Sequence, residues 1–283
     1  MENEKRKRRG RLFYASLRQT SVFCTLLSVV ALLGLIAYVL IGGAGKLNFH
    51  LLFGAYDPLA PSIYPALIGT LRLIFVSVLL AVPLGIGSAV FLVEYMNSKG
   101  RLVRIIRVAT ETLSGIPSIV YGIFGYLFFV RALRLGYTLL GGGITLAVMI
   151  LPVIVRSVEE SLLAVPAGYR EGALALGTGK AGTIFRVILP AASGGIVTAV
   201  ILAVGRVISE SAVLILTVGQ VVDTVPEGFL SGGTSLALDI YFLANHGFRD
   251  EAAATAVVLL ALVILINLSA TLLGKLIDRK KGS

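Results

Sequence analysis

Cysteine, histidine and tryptophan are nearly absent from this 283-residue sequence, which has one cysteine, two histidines and no tryptophan. Cys24 alone cannot form a disulfide within the chain. The two histidines, His50 and His246, fall in predicted loops, and no Cys/His cluster with metal-ligand spacing is present. No catalytic triad is evident either. We therefore predict no metal, no cofactor and no enzyme activity in this chain.

Charged residues are also scarce, at 14% of the chain against 57% hydrophobic residues. Soluble domains are about a quarter charged, so this composition excludes an ordinary soluble protein. About 20 apolar residues cross the hydrocarbon layer. The sequence predicts an all-α membrane protein with six transmembrane helices. The six predicted spans are Ser21–Ile41, Ala66–Val93, Leu113–Val130, Leu139–Val155, Ala191–Val218 and Ala252–Leu273.

Positive charge is unevenly distributed along the chain, although the net charge of +10 could suggest nucleic acid. Lys and Arg concentrate in residues 1–20, 99–107, 156–186 and 275–281, and are sparse in the intervening loops. This alternation follows the positive-inside rule, so both termini are predicted to be cytoplasmic. We divide the chain into a basic cytoplasmic arm (residues 1–20) and a transmembrane domain (21–283). Membrane lipid, and no nucleic acid, is the expected contact. The first span is too long for a signal peptide and indicates a retained anchor.

The stretch GALALGTGKAGTIFRVILP, from Gly172 to Pro190, contains a G-x-G-x-x-G pattern that could suggest a nucleotide. A P-loop would need Gly where Leu174 stands and Ser or Thr where Ala181 stands. A dinucleotide site would need a preceding β-strand, whereas the residues before it read as a helix. The stretch is therefore not predicted to bind a nucleotide.

The loop between spans four and five, about residues 156–190, predicts a short helix instead. Pro166 suits its first turn and Gly177 its left-handed end. A second short segment, KAGTIFRVIL, then leads to Pro190, which is expected to open span five. A helix this short needs a partner surface to be stable.

The loop contains Glu171-Gly172-Ala173, then three residues, Gly177, nine residues and Val187-Ile188-Leu189-Pro190. This pattern resembles the E-A-A…G…I-x-L-P signature of bacterial ABC importer membrane subunits. Gly172 and Val187 depart from that signature in identity, not in spacing. The resemblance implies a type I ABC importer permease fold, with a helix that docks on a separate ATPase subunit. The coupling residues it implies are Arg170, Glu171, Gly172, Ala173, Gly177, Leu189 and Pro190. An ordinary membrane-surface helix is the alternative.

Three further stretches are similar to permeases of phosphate-specific importers of the PstA and PstC type. They are LSGIPSIVYGIFG (113–125), ILPVIVRSVEESLLAVP (150–166) and GRVISESAVL (205–214). The resemblance implies phosphate import by a PstA-like subunit in a bacterial or archaeal inner membrane. It also implies a PstC-like second permease, a pair of PstB-like ATPase subunits and a PstS-like extracytoplasmic phosphate-binding protein. Ser209 stands where that family often has Gly.

Arg206 and Glu210 are charged residues within the fifth predicted span, four residues apart and so on one helix face. A charge at the bilayer centre costs at least about 2.5–3.5 kcal/mol, so such residues usually face a bundle interior or a polar path. The planar guanidinium of Arg206 suits phosphate oxygens. Arg206, Glu210 and Ser211 are therefore candidates for the translocation pathway, with a structural salt bridge as the alternative.

Arg72 and Arg156 are candidates at the two ends of the same pathway. Arg72 lies near the outer end of span two and can attract an anion or extend to headgroups. Arg156, at the inner end of span four, can line an exit or anchor to headgroups. Glu159 and Glu160 are interpreted as a solvated face.

Three other functions remain open from the sequence. They are a permease for another oxyanion or a phosphonate, an ion-coupled secondary transporter, and a scaffold or receptor that transports nothing.

Overall fold

The computed structural model describes residues 2–58, 60–96 and 100–279, excluding the side chains of 2–13, 15, 273 and 275–279. Residue 99 and residues 280–281, which belong to two predicted basic segments, lie outside the described residues. In the described part the regular structure is helical, apart from a single bridge between Asp57 and Ala60. An all-α membrane fold is therefore confirmed.

Thirteen α-helices occur in the described residues, and three of them continue into a π-helical turn. The helices are α1 (Glu2–Ala44), α2 (Phe49–Phe53), α3 (Tyr64–Val90), α4 (Arg101–Ser114), α5 (Ser118–Gly125), α6 (Leu139–Leu163), α7 (Ala167–Ala175), α8 (Lys180–Thr183), α9 (Leu189–Ala191), α10 (Ser193–Ile208), α11 (Ala212–Thr217), α12 (Leu236–Asn245) and α13 (Arg249–Arg279). The π turns are Phe91–Tyr95 after α3, Tyr126–Ala132 after α5 and Ile184–Ile188 after α8.

Four helical segments are long and apolar enough to cross a membrane, and two bent helix pairs bring the number of candidate spans to as many as six. The continuous spans are Ser16–Ala44, Tyr64–Tyr95, Leu139–Leu163 and Arg249–Leu272. The third predicted span is not one continuous helix, because the axis of α4 meets the axis of Ser118–Ala132 at 97°. Pro117 lies in this bend and cannot supply a backbone donor. The start of that prediction, Leu113, therefore belongs to α4.

Helix α1 runs without interruption from Glu2 to Ala44, so the predicted basic arm and the first span share one helix. Helix α1 packs mainly on α13 and leaves its apolar side chains exposed. At Gly43 the two backbones meet so closely that a Cβ would collide with the main chain of Ala253. The first helix therefore lies at the periphery of the bundle.

The centre of the bundle is the packed pair α3 and α6. Small residues bring these helices together, since a Cβ on Gly85 would collide with Ile154 and one on Gly143 with Val76. The α6 side of the contact is fully buried at Leu146, Ile150 and Ile154. Because proteins are close-packed, this core gives the bundle a rigid axis on which the sites below are placed.

The loop of residues 218–235 closes over the start of α6. Thr138 caps α6 by accepting a hydrogen bond from the Gly141 amide, and the next amides donate to loop carbonyls. Leu139 N–H reaches Ser231 at 3.0 Å and Leu140 N–H reaches Phe229 at 2.7 Å. The loop thereby satisfies the unpaired donors at the beginning of α6.

Candidate functional site

The predicted coupling helix is present as α7, and it begins and ends as the sequence indicates. Pro166 precedes its first residue, and Gly177 follows with a φ of +79°. The Gly177 amide donates to Leu174 at 2.9 Å, and the Thr178 amide to Ala173 at 3.1 Å. These bonds close the last turn, and the left-handed backbone favours glycine at position 177.

The second short segment is also present, as α8, its π turn and α9. Its axis meets α10 at 67°, with the change of direction at Ala192. Pro190 lies in α9, so the prediction that it opens the fifth span is wrong by a few residues. The span begins with α10 at Ser193. Leu189 and Pro190 are half-buried at this bend.

The signature residues lie on different faces of α7. Ala173 is buried, whereas Glu171, Gly172 and Gly177 are exposed. A Cβ on Gly172 would meet no atom within 4 Å, so the alanine of the family signature would fit there. The signature residues therefore divide into one that packs against the chain, Ala173, and three that are exposed.

Large apolar side chains on this exposed surface were missed by the sequence reasoning. Leu176 is 87% exposed at the end of α7, and Tyr169 and Leu174 are about half exposed. The sequence could have indicated them, because large apolar residues occur here in a helix that is too short to cross a membrane. These three side chains make the exposed part of α7 a candidate contact surface.

Arg170 was predicted to contact the ATPase, but its side chain is occupied within the chain. Its Nε and Nη2 donate to Oε1 of Glu94 at 3.0 and 2.7 Å. Its Nη1 and Nη2 also donate to the carbonyls of Val165 and Leu162, both at 3.0 Å. Arg170 therefore attaches α7 to the end of α3 and to the end of α6.

A second ion pair joins α4 to α6 at the same end of the bundle. Arg107 donates to Oε1 of Glu159 through Nη2 at 2.6 Å and Nε at 2.7 Å. The interpretation of Glu159 as part of a solvated face is wrong, because this partner allows its carboxylate to be buried. Glu160 is exposed as expected and pairs with Arg156 at 3.1 Å.

Arg156 itself is a surface residue, with its side chain 55% exposed. Besides Glu160 it approaches Glu111 of α4, with 3.5 Å between Nη1 and Oε1. The predicted exit-path arginine thus lies in a charged cluster between α4 and α6.

The prediction that Arg206 and Glu210 share one helix face is wrong. Helix α10 ends at Ile208, Arg206 lies in its last turn, and Glu210 follows the end. No ion pair joins the two side chains among the described residues, and both are half-buried.

The helix ends where its backbone pairing changes. The Ser209 amide and hydroxyl both donate to the Gly205 carbonyl, at 3.3 and 2.7 Å. The Glu210 amide reaches back three residues, to Val207, at 3.3 Å. Ser211 precedes α11, so the predicted pathway residues surround a break in the apolar segment.

Close packing holds α11 against α5 beside this break. A Cβ on Gly122 would lie 3.1 Å from Cα of Val213, and one on Gly125 would collide with Thr145 and Thr217. The two glycines therefore set the position of α11.

Arg72 is engaged by the loop of residues 218–235. Its Nη1 donates to the carbonyls of Pro226 and Gly228, and its guanidinium carbon lies 5.9 Å from the centre of the Phe229 ring. Arg72 thus holds the loop that closes over α6.

In the described residues no group of three His, Cys, Asp or Glu side chains is placed to bind a metal ion.

The family comparison agrees with these features. Residues 81–283 match the family of binding-protein-dependent transport system inner membrane components. The chain is 34% identical to the probable ABC transporter permease protein YqgI of Bacillus subtilis, over 91% of this chain and 93% of that protein. It is 35% identical to phosphate transport system permease protein PstA 1 of Mycobacterium tuberculosis, over 80% of this chain and 74% of that protein.

Among solved structures, a bacterial alginate ABC transporter matches with a TM-score of 0.66 at 17% identity, over 93% of each chain. That likeness concerns the fold, which is the type I ABC importer permease fold. Together with the α7 signature and the family match, it identifies this chain as a multi-pass inner-membrane permease subunit of an ABC importer, a member of the binding-protein-dependent transport system inner membrane component family with PstA-like sequence.

Proposed function

We propose that this permease subunit carries inorganic phosphate into the cytoplasm, and that ATP is hydrolysed on a separate subunit. The observation that carries the proposal is its 35% identity to a PstA permease over four-fifths of the chain. The assembly would comprise a PstC-like second permease, a pair of PstB-like ATPase subunits and a PstS-like extracytoplasmic binding protein.

The break after α10 supports a polar pathway at Arg206 and Glu210. The end of α10 leaves backbone carbonyls without helical partners, and the start of α11 leaves amides. Such groups are tolerated within a membrane where they are buried in protein or line a water-filled cavity. A half-buried arginine at this break can bind phosphate oxygens, with Glu210 and Ser211 as neighbouring polar groups.

The exposed surface of α7 is the proposed ATPase-docking site. Leu176 and Leu174 supply apolar contacts, and Glu171 supplies a charge at the same surface. This orientation makes the α7 end of the bundle cytoplasmic, together with both chain termini, as the distribution of Lys and Arg predicts.

The proposed mechanism is alternating access. Closure of the ATPase subunits would move α7, and Arg170 would transmit that movement to α3 and α6 through its bonds to Glu94 and to the carbonyls of Leu162 and Val165. Because α3 and α6 form a close-packed pair, they would tilt together.

Phosphate uptake by vesicles that contain the candidate partner subunits tests the proposal. Arg206→Ala is expected to abolish uptake at matched membrane levels while the ATPase still binds. Arg134→Ala, in the exposed loop before α6, is the control and is expected to leave uptake unchanged. Unchanged uptake in Arg206→Ala would contradict a pathway role for this arginine.

Substrate selection is tested by competition with sulfate. Protonated phosphate can donate a hydrogen bond to the Glu210 carboxylate, whereas fully ionised sulfate cannot. Glu210→Gln is therefore expected to reduce the discrimination between the two anions. If sulfate competes equally well against wild type and variant, Glu210 does not select phosphate.

A further inference from the structure

Helix α4 has three distinct faces. One faces the bundle, with Val103 fully buried and Ile106 packed beside Leu92 and Val155. A second face is apolar and uncovered, and its members, at helical spacing, are Leu102, Ile105, Ala109 and Leu113. Leu102 and Ile105 are 53% and 58% exposed. The remaining side carries Arg104 and Glu111, with the exposed Val108 between them.

The direction of α4 explains this division into faces. The axis of α4 lies at 97° to Ser118–Ala132, the segment that forms the third span. If that segment crosses the bilayer, α4 runs close to the membrane plane. A helix in that plane, at the edge of the bundle, has one side toward protein, one toward acyl chains and one toward water. The faces of α4 match the three surroundings that this position provides.

The charges on α4 are not balanced within the chain. Arg107 is paired with Glu159, and Glu111, the acidic residue of the helix, is paired with Arg156. Arg101 and Arg104 are exposed and take part in no ion pair among the described residues. Two uncompensated guanidinium groups therefore flank the uncovered apolar face.

We propose that α4 is an interfacial helix that binds anionic phospholipid: its apolar face enters the acyl region, and Arg101 and Arg104 bind the headgroup phosphates. The chemistry is complementary, because a guanidinium forms paired hydrogen bonds with phosphate oxygens and leucine and isoleucine side chains partition into hydrocarbon. This inference concerns the membrane and is independent of which solute the permease carries.

The position of lipid around α4 can be measured by fluorescence quenching. The full chain would carry Cys24→Ser and Ala109→Cys, with a fluorophore attached at position 109 on the apolar face. It would be placed in bilayers of phosphatidylcholine and phosphatidylglycerol, with one lipid brominated at a time. Quenching by each brominated lipid gives the relative binding of the two headgroups next to α4.

Phosphatidylglycerol is expected to bind more tightly than phosphatidylcholine at this position. Arg101→Gln and Arg104→Gln are each expected to reduce the preference by about fivefold, the effect of one basic residue near an anionic surface. The matched controls, Arg131→Gln and Arg134→Gln, each remove one charge at the opposite end of the third span and are each expected to retain the preference.

Two results would overturn the proposal. If neither brominated lipid quenches the fluorophore, protein or water covers the apolar face. Equal quenching by both lipids, unchanged by the arginine substitutions, would mean that α4 touches lipid without selecting anionic headgroups.

Discussion

Arg170 and Glu94 are 76 residues apart in the chain, yet two nitrogens of the guanidinium donate to one oxygen of the carboxylate. The Glu94 side chain is 10% exposed and that of Arg170 is 25% exposed. The pair therefore connects the signature helix α7 to the end of α3 in a largely dehydrated position, where charged hydrogen bonds are stronger than in water.

Glu94→Gln is expected to weaken the connection between α7 and α3. It would lower the free energy of unfolding by about 1–3 kcal/mol, because hydrogen bonds to charged groups contribute about this much. Uptake is expected to fall more than ATP hydrolysis, since movement of α7 would no longer reach α3. Thermal unfolding and the ratio of transport to hydrolysis measure the two effects.

Glu160→Gln is the matched control for that change. Its exposed pair with Arg156 spans four residues of one helix, and such pairs contribute about 0.3–0.5 kcal/mol. An equal loss of stability or of coupling in both variants would contradict a special role for Glu94.

Alanine substitutions at two glycines, one in α7 and one just after it, are expected to change the free energy of unfolding in different directions. Gly177→Ala would cost about 1–2 kcal/mol, because a Cβ is strained at a φ of +79°. Gly172→Ala is expected to be neutral or to stabilise by up to about 1 kcal/mol, because Gly172 is helical and its surroundings are open. Melting temperatures of the two variants measure the difference. Equal effects would rule out the left-handed cap as the reason for glycine at 177.

Leu176→Ala is expected to weaken binding of the ATPase subunits without changing the stability of the permease. An apolar side chain that is 87% exposed here contributes to binding when a partner covers it, and an interface residue of this kind can contribute about 1–2 kcal/mol. Leu230→Ala, at an exposed leucine in the loop of residues 218–235, is the control. Retained ATPase binding by Leu176→Ala in a pull-down titration would exclude this contact.

Asp239 predicts a pH dependence of stability. Its carboxyl lies buried in α12, Oδ2 has no hydrogen-bond partner within the described part of the chain, and burial raises its pKa from 3.8 to about 7. Between these values the folded chain holds a proton that the unfolded chain releases. Stability is therefore expected to fall as the pH rises from about 4 to about 7, by at most about 1.4 kcal/mol per unit.

Asp239→Asn is expected to remove that dependence while keeping the side-chain shape. Unfolding temperatures at about pH 5 and about pH 8 should then differ less than in the wild type. The idea fails if the wild type is more stable at the higher pH, or if Asp239→Asn keeps the wild-type difference between the two pH values.

The sequence predicted most of the spans because apolar length and basic-residue distribution are local properties. It also located α7, since Pro166 and Gly177 limit a helix by backbone geometry alone. It failed at Arg206 and Glu210, where a four-residue spacing was read as one helix. There the Glu210 amide donates to the carbonyl of Val207, three residues back, and the apolar residues on both sides of the break give no sign of this change.

Contacts between distant segments could not be predicted from the sequence. The burial of Glu159 depends on Arg107, 52 residues earlier, and the orientation of Arg170 depends on Glu94. Charge spacing gives no information about which helix ends meet. The signature thus indicated the position of α7, whereas its contacts with α8, with the following π turn and, through Arg170, with Glu94 and Leu162 determine which of its side chains remain exposed.

The peripheral position of α1 bears on which sequences it can tolerate. The rest of the chain leaves most of its length exposed, and many apolar sequences would present the same surface, whereas the α3 and α6 pair is limited by close packing. Gly43 is a site of stronger constraint, because its contact with the Ala253 backbone leaves no room for a side chain. An unrelated apolar helix grafted in place of α1 would therefore need a glycine at this level to seat against α13.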